Sequence, residues 1–188
     1  MLSIVKYAEA HVPSLAAAFN EIFDESEIPY FEDYEDSGHS FVGLDRNNQV
    51  GAFILIGKTD EAICPYEMKF IGVLPRHRNK GISLALINRV LSVLKEPLWL
   101  NVLETNVRAA RIYEHMNFKV ARRFTTQSGD HGVCYVINLN CFHCGVELTT
   151  DTMFMDEVFT GYVITLHGPK QVMKPIRACK DCVTKVES

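Results

Sequence analysis

Residues 70–87, FIGVLPRHRNKGISLALI, constrain the fold more than any other stretch of this 188-residue chain. An apolar run of strand character stops at Pro75 and a basic turn follows. Beyond Gly81, ISLALINRVLSVL carries helical spacing to about Leu94, before Pro97. A strand, a tight turn and a helix in this order leave unsatisfied backbone N–H groups at the helix start, a site for phosphate or pyrophosphate. Gly81 keeps a Cβ out of the path of an approaching anion, and Arg76, His77, Arg78 and Lys80 put positive charge beside it. Neither GxxxxGK[ST] nor GxGxxG is present, so the turn is neither a Walker loop nor a dinucleotide fingerprint.

The elements around this unit are legible from periodicity. MLSIVKY reads as an opening strand and Val12 to Phe23 as a first helix. Residues 24–36, DESEIPYFEDYED, hold seven carboxylates and no Lys or Arg; Pro29 and the aromatics predict a turn and a short second helix. HSFVGL and QVGAFILIG form a hairpin signal around DRNN, and YEMKFIGVL and LWLNVL are further strands. NVRAARIYEHM is a helix with Asn106 as its N-cap, and FKVARRFTT and VCYVINL are two last strands around QSGDHG. Strands outnumber helices and two helices follow strands as crossovers would, so the fold class is α+β, a mixed α/β sheet.

Composition fits a water-soluble globular chain, with 47% hydrophobic and 22% charged residues. No apolar run approaches the ~18 residues of a membrane span, and MLSIVKYAEAH has no signal-peptide pattern, so a cytoplasmic protein without a membrane partner is expected. A net charge of −4 argues against coating nucleic acid by bulk electrostatics. Four of the six cysteines form two CxxC pairs, Cys141/Cys144 and Cys179/Cys182, with 34 residues between them. Two such knuckles supply four thiolates at tetrahedral geometry, which predicts a structural Zn2+ site in a module spanning 140–188, after a main domain of 1–139. Cys64 and Cys134 lack partners at ligand spacing and read as small buried hydrophobes.

RNKGIS, with Arg78, Gly81 and Ser83 on its key positions, resembles the acyl-CoA signature [QR]-x-x-G-x-[GA] of the GNAT superfamily of N-acetyltransferases. The preceding V-x-P-x-x-R, Val73 to Arg78, is similar to that family too. Ser83 replaces the usual Gly or Ala with another small residue. NVRAARIYEHMNF matches N-x-x-A-x-x-x-Y-x-x-x-G-F at Asn106, Ala109, Tyr113 and Phe118, with Asn117 where Gly is usual; Asn is the common substitute at a left-handed helix cap. The resemblance covers residues 1–139 and implies a GNAT-like sheet and an acetyl-CoA-dependent N-acetyltransferase.

It further implies the site. Acetyl-CoA would rest its pyrophosphate on the amides of Arg78, Asn79, Lys80, Gly81, Ile82 and Ser83. Its pantetheine arm would pair like an added strand along the splayed strand through Ile71 and Val73, near Asn106, with Tyr113 at the thiol sulfur. The acceptor chemistry adds a requirement: a lysine-type amine has a pKa of ~10.4, so neutralising it at pH 7 costs roughly 4–5 kcal/mol and a general base helps. Glu67 stands where some GNAT members carry a catalytic glutamate, Glu104 is a second candidate, and Asn101 can hold a water. The acidic stretch would flank an acceptor channel and attract a cationic amine, whether protein lysine, N-terminus or polyamine.

The C-terminal stretch resembles the zinc-bound ββα module of HNH endonucleases, or a plain zinc ribbon. Asp156-Glu157 stands where that module has a catalytic Asp-His pair, so no nuclease is expected. Five Lys/Arg against six Asp/Glu in the module make nucleic acid a weakly supported partner. The alternative to an enzyme is a catalytically silent GNAT-fold protein that binds a macromolecule through the zinc module.

Overall fold

The computed structural model of the chain describes residues 2–23, 29–34, 37–59, 64–140, 145–148, 153–165 and 168–179, of which 32–33 and 153–179 by backbone alone. The element order is β1 (Ser3–Lys6), α1 (Val12–Ile22), β2 (Phe41–Leu44), β3 (Val50–Lys58), β4 (Tyr66–Val73), α2 (Ile82–Val93), β5 (Leu98–Leu103), α3 (Val107–His115), β6 (Lys119–Thr125), β7 (His131–Ile137), β8 (Met153–Thr165) and β9 (Gly168–Cys179).

Strands β1 to β7 form one sheet in the order β1-β2-β3-β4-β5-β7-β6. All neighbours are antiparallel except β4 and β5, where the α2 crossover forces a parallel pair. β3, VGAFILIGK, is buried at every position but its last, because helices cover both faces; hence a continuous apolar run rather than an alternating one. On one face α1 brings Phe19 against Phe53 and Phe70, with ring centroids 5.8 and 5.0 Å away. On the other, Leu86, Ile87 and Val90 of α2 and Tyr113 of α3 pack onto Ile54, Ile56, Met68, Leu100 and Tyr135.

Two local expectations need correction. The short second helix is, among the described residues, a single 3-10 turn at Phe31–Tyr34, the tighter form in which short helical pieces occur; residues 24–28 and 35–36 lie outside the described residues. Cys64 is half-buried rather than a core residue, because it sits at the end of the β3–β4 connection; Cys134 is buried as expected.

Among the described residues β8 and β9 pair with each other alone, Met153 opposite Cys179 and Thr165 opposite Gly168. This long hairpin is not among the elements read from the sequence. Asp156 and Glu157 lie within β8, opposite Ile176 and Pro175.

Candidate active site

The ladder between β4 and β5 has two pairs, Tyr66↔Leu98 and Glu67↔Trp99. Beyond them the strands part, although β4 stays paired to β3 as far as Val73 and β5 stays paired to β7 as far as Leu103. A wedge therefore opens from Glu67 towards Val73, with the β5-facing backbone groups of residues 68–73 outside any strand ladder. A bulge contributes: Leu55 opposes Phe70 and Ile56 opposes Met68, so Lys69 has no opposite number.

The open end of the wedge leads into the turn. Pro75–His77 make one 3-10 turn and Arg78 is extended. Asn79 (φ 60) and Gly81 (φ 71) are both left-handed, and α2 begins at Ile82. Left-handed residues alternating with others turn successive N–H groups towards one side, the concave arrangement that suits an anion. The turn needs Gly81 for its backbone conformation as well as for clearance; a Cβ there would meet nothing within 4 Å, so the space above it is open.

Arg78 Nε donates to the Val73 carbonyl at 3.0 Å and Lys80 Nζ to the Arg76 carbonyl at 3.0 Å. Arg108 Nη2, from the first turn of α3, donates to Asn79 Oδ1 at 2.7 Å. All three acceptors are neutral, so these hydrogen bonds cancel none of the positive charge around the turn. Arg76 is the exception, bridging to Glu21 at 3.2 Å. His77 turns its ring against Gly51, and burial, helped by Arg76 and Lys80, holds its pKa below the usual histidine value.

Asn106 caps α3 as its sequence predicts, its Oδ1 accepting from Ala109 N at 3.2 Å. Asn117 is left-handed at φ 64, the conformation its place after the helix implied. Tyr113 is only 6% exposed, with its ring 5.7 Å from Phe118 and 6.0 Å from Tyr135, and burial pushes its pKa up to about 12. Glu67 sits at the apex of the wedge, buried, in an ion pair with Lys69 two residues along the strand. Trp99 lies across from it in register, its Nε1 buried and without a hydrogen-bond partner among the described residues. Glu104, the other candidate base, is exposed beyond the far end of β5 and ion-paired to Arg123; Asn101 is exposed on β5, opposite Cys134.

One continuous strand, turn and helix thus carries Glu67, Ile71, Val73, Arg78, Asn79, Lys80, Gly81, Ile82 and Ser83, and the Arg108–Asn79 bond ties α3, with Asn106 and Tyr113, to it. Lys69, Trp99 and Arg108 were not singled out by sequence. The i, i+2 spacing of Glu67 and Lys69 on a strand was the available signal for the first. Among the described residues no group of three or more His, Cys, Asp or Glu is arranged to hold a metal. Cys141, Cys144 and Cys182 lie outside the described residues, and Cys179 is described by its backbone at the end of β9.

Residues 8–118 match the acetyltransferase (GNAT) family. The chain belongs to that family. As a GNAT protein it is an acyltransferase. Its fold is similar to that of Arabidopsis thaliana Naa50 in complex with a bisubstrate analogue, at a TM-score of 0.62 and 18% identity, covering 72% of this chain and 97% of that one. Arabidopsis thaliana NAA60 in complex with acetyl-CoA gives 0.58 and 19%, covering 73% and 99%. The ribosomal-protein-S18-alanine N-acetyltransferase of Escherichia coli gives 0.58 and 18%, covering 79% and 100%. At such identities the likeness is one of fold. No curated protein matches this chain in sequence. Among the described residues no helix is long and apolar enough to cross a membrane.

Proposed function

We propose that this GNAT protein is an acetyl-CoA-dependent N-acetyltransferase that transfers acetyl directly to the primary amine of a peptide or protein acceptor. The observation that carries this reading is the parting of β4 from β5 above a turn with two left-handed residues and uncancelled positive charge. An extended amide-bearing arm fits the β4 edge that β5 leaves at Ile71 and Val73, where it can hydrogen-bond as an added strand, the Val73 carbonyl being shared with Arg78 Nε. A pyrophosphate fits the amides of Arg78 to Ser83 at the α2 N-terminus. NAA60 with acetyl-CoA and Naa50 with a bisubstrate analogue, on the same fold, support the donor and the kind of acceptor.

The donor supplies an activated acyl carbon; the chain supplies positioning and proton handling. Glu67, at the apex, takes a proton from the acceptor ammonium, directly or through a water. With its pKa near 12, Tyr113 keeps its phenolic proton at neutral pH and holds it for the leaving sulfur. Asn106, at the α3 N-terminus, would lie close to the arm. Calorimetry with acetyl-CoA tests the reading: micromolar binding by the wild type, lost in Gly81→Glu, followed by acetyl transfer to a peptide amine that falls in Tyr113→Phe. Absence of binding by the wild type would sink it.

For residues 140–188 we infer a separate module closed by a structural Zn2+ on Cys141, Cys144, Cys179 and Cys182. What supports it is the CxxC spacing and the β8–β9 register, which returns the chain beside Met153 just as the second pair begins.

A further inference from the structure

The Glu67–Lys69 ion pair places an amine of the chain itself where an acceptor amine is needed. Both residues belong to β4 at the apex of the wedge, on the face away from α2 and α3. Glu67 shares that face with Gly57 and Trp99 in register, and the Lys69 stem lies over Gly57. A Cβ at Gly57 would come to 3.4 Å from Lys69 Cγ and 3.6 Å from Tyr34 Cε1, ordinary packing distances, so the Lys69 stem and Tyr34 both lie close against this glycine. The Glu67 side chain is 10% exposed and that of Lys69 41%, so the carboxylate is enclosed while the lysine side chain remains open to an incoming group. Lys69 is also the bulge residue, and bulges re-aim side chains beside active sites.

We infer that Lys69 is an autoacetylation site, modified by the acetyl thioester that the wedge is proposed to hold. The inference rests on the donor reading above. In the reaction the Lys69 ammonium passes one proton to the Glu67 carboxylate, and the freed lone pair forms a C–N bond to the acetyl carbonyl carbon. The C–S bond breaks and its electron pair leaves with sulfur, which takes the Tyr113 phenolic proton and departs as coenzyme A thiol, while the second proton lost by the nitrogen returns by way of solvent to the phenolate. Glu67 returns its proton to solvent, and Lys69 ends as a neutral acetamide. The consequence is a change of state at the apex: the ammonium that occupies Glu67 is gone, and the carboxylate is released to accept a proton from an external acceptor.

The test incubates the full chain with acetyl-CoA, follows intact mass and a peptide map, and measures acetyl-CoA binding by calorimetry on the same preparation. One acetyl group on the peptide holding Lys69 is expected, ahead of Lys6, Lys58, Lys80 and Lys95. It is absent in Lys69→Arg, which keeps the ion pair and so the fold, and at least about tenfold slower in Glu67→Gln, as loss of a general base requires. Binding without a mass gain overturns autoacetylation and leaves the donor reading standing. Equal labelling of Lys69 in wild type and Gly81→Glu marks solution chemistry and overturns it as well. If the wild type binds no acetyl-CoA, both readings fall together.

Discussion

Asn79 and Arg108, 29 residues apart, are joined side chain to side chain at 2.7 Å, so the first turn of α3 holds the left-handed corner of the turn that precedes α2. Asparagine tolerates that conformation better than other side chains, but it still costs free energy, and an external hydrogen bond offsets part of the cost. The bond is exposed, which limits its worth to about 0.5–1.5 kcal/mol. Arg108→Met is therefore expected to weaken acetyl-CoA binding by about three- to tenfold in calorimetry, with little change in melting temperature. An unchanged affinity would mean that the turn holds its shape without α3.

Gly72 lies in β4, where an added Cβ would come to 2.6 Å from Phe53 Cζ and 2.9 Å from Ile22 Cδ1. Phe53 is fully buried and braced by Phe19 and Phe23, so the ring has nowhere to retreat. Gly72→Ala is expected to destabilise the fold by about 1–3 kcal/mol, as overpacking does, read as a lower urea midpoint with an unchanged slope.

Most of the main sheet is legible in the sequence because its signals are local. The periodicity of ISLALINRVLSVL, the cap at Asn106 and the stop at Pro75 are each decided within a few residues, and the structure has α2, α3 and the end of β4 where they predict. What the sequence leaves hidden is long-range. The GNAT resemblance implies a splayed strand, but nothing in EMKF itself announces that β4 leaves β5 after Glu67, since that depends on the register of two strands about 30 residues apart with a helix between them. The Arg108–Asn79 bond and the His77–Gly51 contact are hidden for the same reason: each joins segments that only the folded sheet brings together. Lys69 beside Glu67 is an intermediate case. Strand alternation puts both on one face, but the bulge at Lys69 comes from the register of β3 against β4, which EMKF alone does not carry.

The proposed zinc site makes a prediction that leaves the main sheet aside. Metal analysis of protein purified without added metal is expected to find one zinc per chain, and Cys179→Ser together with Cys182→Ser to abolish it. A small module with little core of its own depends on its metal to fold. A strong chelator should therefore open residues 140–188 to protease while acetyl-CoA binding, proposed for residues 71–83, persists. Loss of both would show that the two parts do not fold independently.

Tyr113 gives the clearest pH signature. Its folded pKa of about 12 lies above the value near 10 of an unfolded tyrosine, and burial is the cause. Between these two values the unfolded chain has already released the phenolic proton that the folded chain still holds, so stability falls as pH rises through that window. The loss attributable to Tyr113 approaches about 2–3 kcal/mol by the top of it and is absent at neutral pH. Tyr113→Phe should flatten this part of the stability profile, measured by urea unfolding from pH 9 upward. In catalysis the same shift predicts that the phenol stays protonated wherever an amine acceptor becomes neutral. Tyr113→Phe is then expected to lower kcat by about ten- to a hundredfold while leaving the rising limb of kcat/KM at the same pH. A limb that moves with the substitution would mean that Tyr113 itself is titrating there, against the burial that surrounds it.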